Sequence, residues 1–166
     1  MRVETINTPA IRYLEEHAVP YRLFHHAGPI ESLEQAAEER HQTPTQVIRS
    51  IVFRLAEDNF IMVLMPGPEQ IPWKKLRRYV NQSRLTLANE EELLAATGYR
   101  PGTVNPFGLP QSMRILIDRR IADLSEISLG SGQRGWAILL NPQVLSHSLD
   151  QVEWVDFSGQ ENGAAS

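Results

Sequence analysis

Apolar and polar positions change period several times along the chain, and each change marks a predicted element. Thr8 followed by Pro9 reads as an N-cap and first helical position. Ile11 and Leu14 then give a short amphipathic helix that fades by Val19 and Pro20. Residues 21–26, "YRLFHH", alternate as a strand does. Ser32 with Gln35 forms a capping box that opens a helix through about Arg40. Thr43-Pro44 repeats the cap-plus-proline signal and starts a short helical turn over 44–48. Residues 49–55, "RSIVFRL", and 60–65, "FIMVLM", are β-rich runs joined by "EDN", a hairpin pattern. The second run is apolar on both faces, so it predicts a central strand covered on both sides.

Pro72 opens a further helix over 73–80, "WKKLRRYV", and 84–88 reads as a strand. Asn89 caps a helix over 90–97, whose first-turn acids complement the dipole, and Gly98 ends it. Strands follow at 114–118, 126–129 and 136–140, with a glycine-rich turn, "GSGQRG", at 130–135. Asn141-Pro142 starts a helix to about His147, 152–157 is a last strand, and 158–166 reads as a frayed tail. Many connections between strands are too short for parallel crossovers. The pattern therefore predicts one α+β domain over 1–157, with a curved, mixed, mostly antiparallel, barrel-like sheet flanked by helices.

Composition narrows the chemistry. The chain has 166 residues, 42% apolar and 22% charged, which suits a soluble globular domain with one core. It has no cysteine, so disulfides, thiolate metal sites and a cysteine nucleophile are excluded together. No apolar run approaches membrane-spanning length, and the first ten residues lack an apolar signal core, so a cytoplasmic location without membrane attachment is expected. The five histidines form no HxH or HxxxH pair, so neither a metal nor another cofactor is expected. A net charge of −4 means that any nucleic-acid contact needs a local basic patch. Lys74, Lys75, Arg77 and Arg78 on the 73–80 helix are the candidate; a solvated helix face is the plainer reading of the same charges.

One stretch fits no regular element. Residues 97–110, "TGYRPGTVNPFGLP", carry Gly98, Gly102 and Gly108 with Pro101, Pro106 and Pro110, yet also apolar Val104, Phe107 and Leu109. Glycines here permit positive φ and close approach of a ligand, while the prolines stiffen the path. Backbone N–H groups so held could bind a phosphate, a carboxylate or a developing oxyanion. Equally, this is a structural loop whose Phe107 plugs the core. Arg49 shares a strand face with Ile51, Phe53 and Leu55. On an inward face its guanidinium needs a carboxylate, an anionic or carbonyl ligand, or an outward bend to water. Asp118 either orients Arg49 or a ligand, or caps whatever follows its strand. "GSGQRG" matches phosphate-loop spacing only weakly and reads as a tight turn.

Taken in order, "LEEHAVPYRLFHH", "TPTQVIRSIVFR", "TGYRPGTVNPFGLP", "ILID" and "GSGQRG" resemble the YbaK/EbsC family of aminoacyl-tRNA deacylases over about Leu14 to Val155. That group includes free-standing relatives of the editing insertion of prolyl-tRNA synthetase. The resemblance implies trans-acting hydrolysis of the ester of a mischarged tRNA, of the Cys- or Ala-tRNA(Pro) kind, with tRNA and an aminoacyl-tRNA synthetase as partners. It implies catalytic roles for Arg49, Gly102 and Thr103, and substrate contacts from Val104, Asn105, Pro106, Phe107, Gly108, Asp118, Gly130 and Ser131. The family usually has lysine where this chain has Arg49, and often a second glycine where it has Thr103. Arginine keeps the charge but cannot serve as a base near neutral pH. A non-catalytic module that binds a tRNA end, a nucleotide or an amino acid is the alternative.

Overall fold

A computed structural model of the chain describes residues 5–56 and 59–158. In chain order the elements are α1 (Pro9–Glu16), β1 (Arg22–His25), α2 (Leu33–Glu39), β2 (Ile48–Ala56), β3 (Asn59–Pro66), α3 (Trp73–Val80), β4 (Thr86–Leu87), α4 (Glu90–Thr97), β5 (Arg114–Asp118), β6 (Ile127–Gly130), β7 (Trp136–Leu140), α5 (Gln143–Ser148) and β8 (Val152–Val155). Local chemistry sets the helix starts. Thr8, Ser32 and Asn89 each accept a hydrogen bond from a first-turn N–H, and Asn89 forms a capping box with Glu92. The cap-plus-proline at Thr43-Pro44 yields a 3-10 turn over Pro44–Gln46. A second 3-10 turn, Arg119–Asp123, follows β5.

The strands form two sheets rather than one closed barrel. Five pair in the order β4-β2-β3-β5-β8 and three in the order β1-β7-β6. The sheets meet at one parallel bridge between Val47 and Ser128. The expected barrel-like closure is therefore corrected to two sheets facing a shared core. Pairing is mixed: β2–β3, β2–β4, β1–β7 and β6–β7 are antiparallel, while β3–β5 and β5–β8 are parallel. Positions 57 and 58 of the expected hairpin turn, and the expected tail beyond Ser158, lie outside the described residues.

Period-two alternation on β2 and β3 divides the interior in two. Ile48, Val52, Met62 and Leu64 join the large cluster between the sheets, with Val104, Leu129 and Ile138. Phe53, Ile61, Val63 and Met65 face the other way, against Leu76 and Val80 of α3. β3 is thus a central strand covered on both sides. Its fully buried residues are worth about 1.5–3 kcal/mol each relative to exposure, so this strand anchors both halves of the core. Among the described residues, no helix is long and apolar enough to cross a membrane.

Candidate functional site

The proline-braced loop 99–108 follows α4 and lies against the end of β6 and the turn after it. Gly98 stops the helix in the left-handed conformation, φ 81°. Tyr99 is buried and its hydroxyl donates to the Phe107 carbonyl at 2.5 Å. Asn105 is fully buried; its Nδ2 donates to the Gly130 carbonyl at 2.6 Å, and its Oδ1 accepts from the Phe107 N–H at 2.7 Å. The Gly132 N–H donates to the Thr103 carbonyl at 2.9 Å. Gly130 permits this approach, because a Cβ there would sit 2.6 Å from the Val104 carbonyl oxygen. The loop is therefore a fixed wall, docked on the second sheet.

Between that wall and β2 lies a cleft of about 250 Å³. Ile48, Arg49 and Ser50 of β2 border it with Val47; Gly102 and Val104 come from the loop; Leu129, Gly130 and Trp136 come from the second sheet and Gly135 from the turn between β6 and β7. Arg40, just past α2, completes the lining. Larger hollows of about 390 and about 560 Å³ lie elsewhere, but neither is lined by a lysine, an arginine or a glycine. Among the described residues the N–H groups of Gly102 and Val104 take no part in backbone hydrogen bonds, whereas that of Thr103 returns to the Arg100 carbonyl. The Ser50 hydroxyl is buried and without a hydrogen-bond partner among the described residues.

Two arginines line this space, and their guanidiniums are held differently. Arg49 opposes Met65 across the hairpin, on the α3 side of the sheet, while Ser50 opposes Leu64 on the cleft side. The Arg49 Nε donates to the Gly67 carbonyl at 2.6 Å and its Nη2 to the Glu69 carbonyl. Burial lowers its pKa from the ordinary arginine value, with the Glu69 charge opposing that shift. Arg40 Nε donates to His26 Nε2 at 3.0 Å, and its Nη1 donates to the Ser128 hydroxyl at 2.8 Å. His26 is buried, and its Nδ1 meets Glu39 Oε1 at 2.5 Å. With Nε2 accepting from Arg40, Nδ1 is the nitrogen that donates to Glu39. Burial pulls the Arg40 pKa down to about 10, against the pull of Glu39, which leaves it charged near neutrality.

The other expected residues are placed as follows. Thr103 turns its hydroxyl back to the Arg100 carbonyl at 2.8 Å. Phe107 is fully buried beside Tyr13, ring centroids 5.5 Å apart, so it plugs the core instead of lining the cleft. Pro106 and Gly108 border a separate small hollow with Tyr13 and Leu149. Ser131 is buried and its carbonyl accepts from the Thr8 hydroxyl at 2.7 Å. Asp118 does not reach Arg49 or the cleft: it caps the 3-10 turn through the Arg120 N–H and forms a bidentate pair with the Arg120 guanidinium at 2.9 and 2.7 Å. A buried carboxylate at a strand end needs that neutralisation. The basic helix α3 packs on the sheet face opposite the cleft, where Lys75 donates to the Ser158 carbonyl at 2.9 Å. No cluster of three potential metal ligands occurs among the described residues.

Sequence reasoning missed Arg40, Ser50 and Trp136. Arg40 ends a charged helical run and reads as a solvated residue; its partners lie 14 and 88 positions away. Adjacent His25 and His26 do alternate, one exposed and stacked on Trp136 at 4.0 Å, the other buried beside Arg40.

Comparison with known proteins bears on the same region. The family model described as an aminoacyl-tRNA editing domain matches residues 27–146. A proline–tRNA ligase of Streptococcus mutans is 30% identical over 101 residues, covering 60% of this chain and 16% of the ligase. The chain thus spans about a sixth of such ligases. An Enterococcus faecalis protein assigned as a Cys-tRNA(Pro)/Cys-tRNA(Cys) deacylase, EbsC, is 25% identical over 156 residues, covering 93% of this chain and 94% of that protein. A crystal structure assigned as a trans-editing enzyme for prolyl-tRNA synthetase superposes with a TM-score of 0.77 at 21% identity, over 92% of this chain and 99% of the other, which establishes the shared fold.

Proposed function

The chain belongs to the aminoacyl-tRNA editing domain family, in its YbaK/EbsC group, and on that premise we propose that it is a free-standing deacylase acting on mischarged tRNA. The reaction is hydrolysis of the ester between a wrong amino acid and the 3′-terminal ribose, with Cys- or Ala-tRNA(Pro) as the substrate type. The observation that carries this reading is the juxtaposition of two loop N–H groups, Gly102 and Val104, without a backbone partner among the described residues, with a small cleft bordered by Arg40 and by β2 at Arg49. The volume suits a small acyl group and falls just below the roughly 300–1,000 Å³ of typical ligand clefts. Val104, Leu129 and Ile48 give that group apolar walls.

The ester is already activated, so a positioned water suffices as nucleophile. The loop N–H groups stabilise the tetrahedral oxyanion; one such donor is typically worth about 2.7–4 kcal/mol. Arg49, whose side chain lies on the α3 face, ties β2 to the Gly67–Glu69 segment and so holds the strand that borders the cleft. Arginine does not act as the base. The substrate's own amine or ribose hydroxyl takes that part. Val104 and Gly102 contact the acyl group, Gly130 holds the wall in place, and the Thr103 carbonyl ties it to the second sheet. The α3 cations, Lys74, Lys75, Arg77 and Arg78, meet the tRNA body at a distance from the cleft.

A non-catalytic binding role is favoured by one observation, the engagement of the Arg49 guanidinium with the Gly67 and Glu69 carbonyls. Deacylation of Ala- and Cys-tRNA(Pro), with Pro-tRNA(Pro) as control, separates the two. The deacylase reading expects release well above the spontaneous rate, reduced in Arg49→Ala and retained in part by Arg49→Lys. Release at the spontaneous rate, with salt-sensitive tRNA binding retained, selects the binder.

A further inference from the structure

The cation best placed to meet a ligand in this cleft is not on the hairpin. Arg40 borders the cleft from the end of α2, and two of its three guanidinium nitrogens are occupied, Nε by His26 and Nη1 by Ser128. Nη2 makes no hydrogen bond among the described residues. The two bonds fix the plane of the group, so its free edge has one direction. Glu39 accepts the hydrogen bond from His26 Nδ1–H and so keeps Nε2 an acceptor toward Arg40. Arg49, by contrast, spends Nε and Nη2 on backbone carbonyls.

A partly desolvated guanidinium needs a standing counter-charge. Glu39 partly offsets the Arg40 charge from across the His26 ring, but among the described residues no carboxylate bonds the guanidinium directly. An ester carbonyl is neutral until the transition state, so it does not answer that need. A phosphate does, throughout binding. The unpartnered Ser50 hydroxyl in the same cleft adds a second polar contact. We propose that Arg40 is the phosphate anchor of the cleft, holding the phosphate 5′ to the acylated ribose through its free guanidinium edge, with His26 as its positioning residue. This rests on the deacylase reading, which places an acylated nucleotide there.

The test compares two minimal esters, 2′(3′)-O-alanyl-AMP and 2′(3′)-O-alanyl-adenosine, which differ only in the phosphate. Wild type should hydrolyse the first with the higher kcat/KM. Arg40→Gln should lose roughly tenfold or more on the phosphate ester, as expected for a charge-assisted hydrogen bond, and less than about twofold on the adenosine ester. Arg40→Lys, which keeps the charge at shorter reach, should fall between. His26→Phe, which leaves Arg40 Nε without an acceptor, should show the same phosphate-selective loss at smaller size. Equal losses on both esters would overturn the proposal, since a damaged fold or a role at the ester oxygen affects both alike. If wild type hydrolyses neither ester, the deacylase reading fails, and calorimetry with AMP and adenosine still decides the anchor. AMP binding tighter than adenosine in wild type but not in Arg40→Gln supports it; equal affinities in wild type refute it.

Discussion

Asn105 tests how the loop wall is held. Asn105→Ala removes the donor to the Gly130 carbonyl, 2.6 Å, and the acceptor from the Phe107 N–H, 2.7 Å. Asn105 and Phe107 are fully buried, so the Phe107 N–H is left in the interior, while the Gly130 carbonyl is left half-buried at the cleft edge. An unsatisfied buried polar group costs about 1–3 kcal/mol. Two of them, partly relieved by relaxation, put the loss near 3 kcal/mol. For a chain of this size, 1 kcal/mol corresponds to about 2–4 °C in Tm, so the drop should be about 6–12 °C. Asn105→Asp keeps the Phe107 acceptor but sets a carboxylate oxygen against the Gly130 carbonyl, and should be no better tolerated. The assay is reversible thermal or urea unfolding, with the m value checked for constancy. A Tm change below about 2 °C in Asn105→Ala would refute the reasoning, because the loop would then be held by something other than this side chain.

Other consequences follow from the same coordinates. Gly108→Ala should destabilise by about 2–5 kcal/mol in denaturant titration, because φ is 73° and the new Cβ would lie 2.4 Å from the Pro9 carbonyl oxygen. The Arg114 guanidinium, and less strongly the Tyr79 hydroxyl, hold the Glu153 carboxyl below its ordinary range by hydrogen bonding. Its folded pKa is depressed, so its contribution is complete above the unfolded carboxylate pKa and is lost as pH falls through the lowered value. Both partners are about one-third exposed, which limits the effect to about 1 kcal/mol or less. Glu153→Gln should accordingly flatten the acid limb of a Tm–pH profile while changing its neutral region little.

Local signals explain why much of the fold is legible in the sequence. Caps at Thr8, Ser32 and Asn89 act within one turn, and β3's two-sided apolar run announces a central strand. The arrangement into two sheets is not legible, because it depends on the Val47–Ser128 bridge, 81 positions apart (128 minus 47). The same limit governs the site. Alternation correctly groups Arg49 with Ile51 and Phe53, but which face meets the loop is set by where Val104 and Leu129 pack. That packing puts Ser50 on the cleft side. Arg40 is invisible for the same reason: nothing near it in sequence predicts Ser128. The Phe107 plug and the Asp118 cap are the plainer of the alternatives the sequence leaves open.

The central claim is that the cleft between β2 and the loop at 102–104 is where the aminoacyl ester is cleaved. Ser50→Val tests it most directly, since it narrows that cleft and replaces a buried hydroxyl that has no partner. The measurement is single-turnover deacylation of Ala- and Cys-tRNA(Pro) alongside Tm. The account predicts a Tm at or above that of wild type and a deacylation rate reduced by about tenfold or more. A variant with intact Tm that cleaves both substrates at the wild-type rate would place the reaction elsewhere on the molecule.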